Sequence, residues 1–318
     1  MEVVLENALQ VLKLFTLLEE FSEQCRPRMI YDRGTVVAMQ FDAINDSRMV
    51  TLQTSYRCKM TGTAISFPTG YVLDTYRLHP FLKRRARAAY KLRLVFDEGT
   101  LRARALIADH NNNDLWCLQQ IGMQSPVPYF QLDSIGAMKK CQLRFSMPSK
   151  CFHTFTLRLW LAHHHVHLQL KPDHHWLLQA WKHRLSIQLE FAAGQVTLIP
   201  KVVSKKRPAA GAAPGAAAAQ SAKRQKVGAT SNHVAGAGGG GGGGHTTPKS
   251  AMRMEINEAL SGQDLSLGTF RMKDIQFATR QYEYESRLTL GISPGGPLIL
   301  LYQKTDPLEF ACVHFSPL

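Results

Sequence analysis

The chain opens with MEVVLENALQVLKLFTLLEEFSEQ (residues 1–24), a short apolar segment followed by a longer amphipathic one. Residues 2–5 predict a strand. From Leu5 to Phe21 apolar residues recur at helical spacing, and Lys13 lies on the opposite, polar face, which predicts a helix. This order, a strand followed by a helix, occurs again later in the sequence.

Strand patterns follow this unit, separated by short polar turns. A second helix is predicted within residues 71–89, with Pro80 either in its first turn or breaking it. The strands are RPRMIYD (26–32), TVVAMQFDA (35–43), RMVTLQTSY (48–56), KLRLVFD (91–97), LRARALIAD (101–109) and LWCLQQIG (115–122).

The same order of elements begins again at residue 141. CQLRFS (141–146) predicts a strand, MPSKCFHTFTLRLWL (147–161) a helix with Pro148 near its start, and FRMKDIQFATRQYEY (270–284) an amphipathic helix. Residues 174–185 suit a strand or a helix. The remaining predicted strands are 164–170, 184–191, 195–203, 252–257, 286–292, 298–304 and 308–315.

Two halves of matching order indicate an internal duplication. We predict a first domain at residues 1–120 and a second at 141–318. Residues 121–140, with Pro126 and Pro128, are predicted to form an extended connector between them.

Residues 204–250 interrupt the second half with an Ala- and Gly-rich segment that has almost no large apolar side chains, which predicts disorder. Two basic clusters in it are separated by a neutral spacer, the layout of a two-part nuclear import signal; a solvated charged loop or a nucleic-acid patch is the alternative. The clusters consist of Lys205, Lys206, Arg207, Lys223, Arg224 and Lys226.

Charge points to a polyanionic partner. The chain has 38 basic and 24 acidic residues, a net charge of +14; residues 204–250 contain seven basic and no acidic residues, so the remainder carries +7. Much of this lies in residues 75–96, which contain no acid, and most densely at Arg84, Arg85 and Arg87. Such a patch suits phosphate binding without base reading.

Composition also argues against several classes of protein. The six cysteines are scattered without a C-x-x-C pair, which disfavours a disulfide framework or zinc ribbon. No apolar run reaches the length of a membrane span and the first residues lack a signal-peptide pattern, so we expect a soluble intracellular protein. Phosphate-loop, nucleophile-elbow and dinucleotide motifs are absent, so we expect neither an enzyme nor a bound cofactor.

The order of elements over nearly the whole chain resembles the sliding-clamp family, which includes proliferating cell nuclear antigen and the checkpoint clamp. Local echoes are MIYDRGTVVAMQFDAINDSRMVTLQ (29–53), MRMEIN (252–257) and PLILLYQKTDPLEFACVHFSPL (297–318). The resemblance implies an α+β DNA-clamp fold with two similar domains, each with antiparallel sheets outside and two helices on the inner face. In that family three subunits form a ring.

The resemblance further implies that basic residues on the helices face the central hole and hold duplex phosphates without sequence readout. The candidate DNA-binding residues are Lys13, Arg77, Lys83, Arg84, Arg85, Arg87, Lys150, Arg158, Arg271, Lys273 and Arg280. Ring closure would use a strand edge within residues 101–121 of one subunit and an edge near residues 191–198 of another. Few aromatic residues accompany the cations, so base stacking is not expected.

Within the family the chain is most similar to the Hus-one type of subunit of the Rad-nine/Rad-one/Hus-one checkpoint clamp, because it ends directly after its last predicted strand and has a variable loop at residues 204–250. Its basic charge disfavours the replicative type, which is usually acidic. This implies a nuclear protein of the DNA damage checkpoint and repair, two other clamp-like subunits, a clamp loader, client repair or replication enzymes, and no membrane. A Rad-nine relative, a replicative or viral processivity clamp and a non-enclosing DNA-binding module are the alternatives.

One rival signal is the His-rich run at residues 163–175. On a strand His163, His165 and His167 would share a face and could bind zinc, as in a metal hydrolase. The run lacks an H-E-x-x-H motif and a cysteine partner, so we expect solvated or interface histidines and no metal.

Overall fold

The protein is described by a computed structural model of mixed α+β architecture, with mostly antiparallel sheets and few helices. The structure describes residues 1–63, 65, 67–97, 99–125, 132–162, 165–170, 176–182, 185–192, 195–202, 253–256, 265–280, 285 and 287–318. In the part of the chain so described, no helix combines the length and the apolar character needed to cross a bilayer.

The described residues of the first half form ten strands and two helices, followed by a third, short helix. In chain order they are β1 (Glu2–Leu5), α1 (Ala8–Phe21), β2 (Gln24–Asp32), β3 (Thr35–Ile44), β4 (Val50–Arg57), β5 (Lys59–Thr61), β6 (Tyr71–Asp74), α2 (Thr75–Arg85), β7 (Lys91–Phe96), β8 (Ala103–Ala108), β9 (Asp114–Leu118), β10 (Gly122–Gln124) and α3 (Ser134–Lys140).

The second half repeats this alternation of strands and helices. Its described elements are β11 (Leu143–Pro148), α4 (Ser149–Ala162), β12 (His165–Leu170), β13 (Trp176–Lys182), β14 (Leu185–Ala192), β15 (Gln195–Val202), β16 (Arg253–Ile256), β17 (Leu265–Arg271), α5 (Met272–Thr279), β18 (Arg287–Ile292), β19 (Leu298–Gln303) and β20 (Phe310–Phe315).

The strands form three sheets in which the two halves follow the same spatial order. One sheet runs β5-β1-β7-β8-β9, and the series β16-β11-β18-β19-β20 repeats that order within the ten-stranded sheet. Likewise β6-β2-β3-β4 in the ten-stranded sheet corresponds to β17-β12-β13-β14 in the third. The order is non-sequential in both halves, so the repetition extends from the sequence pattern to the topology.

The two halves meet where β4 pairs antiparallel with β20, for example Leu52 with Val313 and Thr54 with Ala311. This pairing completes the ten-stranded sheet, whose order is β10-β6-β2-β3-β4-β20-β19-β18-β11-β16. The edge strands of the described sheets are β5 and β9 in the first sheet, β10 and β16 in the ten-stranded sheet, and β15 and β17 in the third.

Four helices form a row on one face of the sheets, in the order α2, α1, α5, α4, with each helix contacting the next. Helix α1 is capped by Asn7, whose Oδ1 accepts from the Gln10 amide at 3.2 Å. Its apolar stripe is buried, with Phe15 packed edge-to-face on Phe41 of β3 at 5.0 Å between ring centroids. Burial of this stripe fixes the row to the sheet.

Alternation along β20 separates the two faces of the ten-stranded sheet. Ala311 and Val313 belong to the main core beneath the helix row, whereas Phe310 and Cys312 pack with Met138 of α3. Because successive strand residues point to opposite faces, α3 lies on the face opposite the helix row.

The helix predicted within residues 71–89 is confirmed as α2, but the expectation for Pro80 is wrong. Pro80 lies inside α2, neither in its first turn nor breaking it. Proline removes the hydrogen bond to the carbonyl four residues earlier, that of Tyr76. Pro80 and Tyr76 are both exposed, so this carbonyl lies on the side of the helix that water can reach.

The second helix of the second half begins at Met272 rather than at residue 270, because residues 265–271 form strand β17, which pairs with β12. The ambiguous segment 174–185 contains strand β13. Within 121–140, residues 134–140 are helical where an extended connector was predicted; Asp133 caps this helix by accepting from the Gly136 amide at 2.9 Å. Tertiary pairing and capping therefore override the local pattern at these points.

Replacing Tyr302 by Phe tests the contact between the helix row and β19. The fully buried Tyr302 hydroxyl donates to the Ala278 carbonyl of α5 at 3.2 Å. We expect the variant to lose about 0.5–1.5 kcal/mol of unfolding free energy, the net worth of one hydrogen bond. Urea denaturation measures this, and Tyr31→Phe, at a half-exposed tyrosine, is the matched control that should leave stability unchanged. Equal stability of the Tyr302 variant would contradict the assigned contact.

Candidate nucleic-acid interface

Helix α2 separates an apolar face from a cationic one. Asp74 caps it by accepting from the Arg77 amide at 2.9 Å, and Leu78, Phe81 and Leu82 are buried against the rest of the protein. The opposite, exposed side carries Tyr76, Arg77, Pro80, Lys83 and Arg84, and Arg87 follows just after the helix. Residues 75–89 contain no acidic residue, so this surface, termed here the α2 cationic face, has a single sign of charge.

The cations of α2 differ in their freedom. Lys83 and Arg84 are exposed, and no carboxylate of the described residues pairs with them. The Arg77 guanidinium donates to the Gln120 carbonyl at 2.9 Å, and Arg85 is half-buried with its guanidinium 5.0 Å from the Phe81 ring centroid. Lys83 and Arg84 are therefore the cations with the most freedom to reach a phosphate.

A histidine joins α2 to α1. His79 is buried, with its Nε2 3.2 Å from the Thr16 hydroxyl and its Nδ1 3.6 Å from a Glu19 carboxylate oxygen. Burial lowers the pKa of His79, and Glu19 opposes this effect. The imidazole is thus neutral at pH 7 and acts in packing rather than as one of the phosphate-facing cations.

The second half has a corresponding bridge. In α4 the Nδ1 of His153 lies 3.0 Å from the Thr279 hydroxyl of α5, and burial together with the charge of Arg280 lowers the pKa of His153. Each pair of helices is therefore held by one histidine–threonine hydrogen bond, with the two residue types exchanged between first and second helix.

The cations of α5 surround one aromatic ring. Lys273 lies 5.4 Å and Arg280 lies 4.5 Å from the centroid of Phe277. Arg280 also donates to the Glu20 carboxylate of α1 at 2.8 Å. It bridges the two halves, whereas Lys273 is exposed.

The structure places the remaining candidate residues along the same helix row. Lys13 is half-buried on α1, Lys150 is exposed in the first turn of α4, Arg271 is exposed at the N-cap of α5, and Arg158 lies on α4. Glu19 and Glu20 lie in the middle of the row, on α1. Positive charge is therefore densest at the α2 end.

The predicted import clusters and part of the His-rich run lie outside the described residues. Both basic clusters of residues 204–250 lie outside the described residues, as does His163. His167 is held by hydroxyl groups of β17, with Nδ1 3.1 Å from Thr269 Oγ1 and Nε2 3.4 Å from Ser266 Oγ. Among the described residues no three potential metal ligands cluster.

Sequence reasoning missed a polar network on the opposite face of the sheet. Buried Asp42 accepts from the Gln53 side-chain amide at 2.8 Å, and the same amide donates to the Leu132 carbonyl at 2.9 Å. Arg28 donates to that carbonyl at 3.2 Å. Burial raises the pKa of Asp42, against the opposing effects of Gln53 and Arg28.

This network fixes the start of α3 on the sheet. The Ser134 amide donates to Gln53 at 3.3 Å, and the Ser134 hydroxyl lies 3.1 Å from Nε2 of His314. Burial lowers the pKa of His314 to about 4, so its ring is neutral at pH 7. The residues come from strands of both halves, which only the pairing of β4 with β20 brings together.

Tyr76 is also absent from the predicted site. Its position four, seven and eight residues before Pro80, Lys83 and Arg84 places it on the α2 cationic face. This helical spacing was visible in the sequence. The prediction that few aromatic residues accompany the cations gave Tyr76 no role.

Comparison with known proteins gives no family assignment: no protein-family model matches the chain, and no curated protein is significantly similar to it.

Reversing three charges tests the α2 cationic face. Changing Lys83, Arg84 and Arg87 to Glu should weaken binding to duplex DNA and reduce the slope of log affinity against log salt by up to about 3, because each lost phosphate contact removes about 0.9. Fluorescence anisotropy over a salt series measures both effects.

The matched control makes the same change of charge away from the helix row. Its substitutions are Arg33→Glu, Arg48→Glu and Arg102→Glu, at exposed positions in turns between strands. A similar loss in both triple variants would show that net charge rather than this face governs binding.

Proposed function

We propose that this chain is a subunit of a ring-shaped sliding clamp that encircles duplex DNA without reading its sequence and tethers partner proteins in the DNA damage checkpoint and repair. The observation that carries the proposal is the repeated strand order of the two halves combined with a row of four helices on one face. In this proposal residues 1–120 and 141–318 are two similar clamp domains of the DNA-clamp fold, and residues 121–140 connect them.

Edge strands of the sheets support the proposed assembly into a ring. In β9 every residue but Leu118 is exposed, and Leu115 and Trp116, which point to opposite faces, are 38% and 40% exposed. An edge strand with apolar side chains on both faces promotes association unless a partner covers it. We propose that β9 pairs with an edge strand of one neighbouring subunit and that β15 pairs with another neighbour.

The distribution of charge supports a phosphate backbone as the ligand. The α2 cationic face and exposed Lys150, Arg271 and Lys273 lie on elements of the helix row. Contacts of this kind bind any sequence, which suits a protein that slides along DNA. The proposal requires no catalytic group and no cofactor, and it assigns loading onto DNA to a separate clamp loader.

Assembly separates this proposal from its alternatives. We expect the protein to be a monomer alone and to acquire the mass of a three-subunit ring only with two different clamp-like subunits, because its two edges would meet different proteins. Native mass spectrometry of the chain alone and of the complex recovered from its own cells measures this. A stable homotrimer would favour a replicative clamp instead.

A second experiment compares retention of the assembled ring on closed circular DNA and on the same DNA after it is cut. The assembled ring should remain on closed circular DNA at high salt and dissociate after the circle is cut, because a ring slides off open ends. Equal retention on circular and linear DNA would indicate a non-enclosing DNA-binding module.

We propose that the protein is nuclear and that the two basic clusters direct its import. Changing Lys205, Lys206, Arg207, Lys223, Arg224 and Lys226 to Gln should move a fluorescently tagged chain out of the nucleus, because import receptors bind such clusters through their charge. Microscopy measures the distribution. Deleting the glycines at 238–244, in the same segment, is the control that should leave it nuclear; nuclear retention of the Gln variant would contradict the assignment.

A further inference from the structure

Tyr76 is the most exposed large aromatic side chain of the described residues. Its relative exposure is 65%, compared with 52% for Tyr31 and 40% for Trp116. Within the described part of the chain its ring packs on no other aromatic ring and its hydroxyl has no hydrogen-bond partner. The fold does not use this side chain.

The surroundings distinguish Tyr76 from an ordinary exposed tyrosine. It lies in the first turn of α2, where the Asp74 cap orders the backbone, and Pro80 follows one turn later on the same side. Lys83 is two turns from Tyr76, about 11 Å along the helix axis. An exposed ring therefore stands on a rigid helix, in line with free cations.

An aromatic ring aligned with free cations matches the chemistry of single-stranded nucleic acid. Such strands are bound by cations along the phosphates and by aromatic rings that stack on the bases. In a continuous duplex each base is covered by its neighbours, so a ring outside the stack has no base face to contact. A gap in one strand leaves base faces open.

We propose that Tyr76 stacks on an unpaired base of DNA that contains a single-stranded segment, while Lys83 and Arg84 hold the adjoining phosphates. This inference rests on the proposed function, since it assumes that the helix row faces DNA. It goes beyond phosphate contact because it gives the α2 cationic face a preference for gapped over continuous duplex. An aromatic side chain flanked by acidic residues instead of cations would not suit this ligand, because the acids would repel the phosphates.

If Tyr76 stacks on a base, two substitutions of Tyr76 should differ in their affinity for gapped DNA. Tyr76→Phe keeps the ring and loses only the hydroxyl, so it should bind like the unchanged protein. Tyr76→Ala removes the ring, and loss of one stacked base corresponds to roughly a tenfold loss of affinity. Because the side chain is exposed and alanine favours helices, the Ala variant should remain folded, which denaturation checks.

The experiment measures anisotropy of a labelled duplex and of the same duplex interrupted by a short single-stranded gap, using the full chain at one salt concentration. The unchanged protein should bind the gapped DNA more tightly. Tyr76→Ala should lose roughly tenfold on gapped DNA and nothing on continuous duplex. Tyr31→Ala, at the other highly exposed tyrosine, should change neither affinity.

Three outcomes would overturn the inference. They are unchanged binding of gapped DNA by Tyr76→Ala, an equal loss on both DNAs, and a loss of assembly with the partner subunits, which would assign Tyr76 to a protein interface. If the helix row does not face DNA at all, the outcome looks different, because the unchanged protein would then bind neither DNA, and the inference would fall with it.

Discussion

Antiparallel pairing between β4 and β20 is the interaction on which the arrangement of the molecule depends. It joins a strand near the beginning of the chain to the last strand, and so unites both halves in one ten-stranded sheet. Because α1 packs on β4 and α5 on β20, the pairing also brings these helices together. The Arg280–Glu20 ion pair across them and the continuous helix row are consequences of this one contact.

The same sheet gives the molecule two faces with different chemistry. On one side, alternate residues of β20 bury apolar side chains beneath the helix row. On the other, Arg28, Gln53 and His314 hold residues 132–134 by hydrogen bonds, Asp42 accepts from Gln53, and α3 covers a smaller apolar cluster. Burial keeps the Asp42 pKa raised and that of His314 low, so this side of the sheet depends on polar groups withdrawn from solvent.

The proposed function follows from how charge is distributed over the helix row rather than from net charge alone. Glu20 on α1 pairs with Arg280 and Glu19 lies beside the neutral His79, whereas α2 has no acid along its exposed side. A ligand with regularly spaced negative charges therefore meets its strongest attraction at the α2 end. Edge strands such as β9 and β15 leave the fold open to association with neighbours, which a ring requires.

The spacing of apolar residues predicted most helices and strands and their repeated order. Composition alone showed the acid-free run that includes Lys83 and Arg84, because both signals depend only on residues close in sequence. Apolar spacing could not determine strand β17, which forms through pairing with β12, or the helix at 134–140, which is fixed by contacts to β4 and β20. Nor could it separate Arg85, stacked on Phe81, from exposed Arg84. Local spacing fixes which side of an element a residue occupies, but only the assembled sheets decide what lies opposite it.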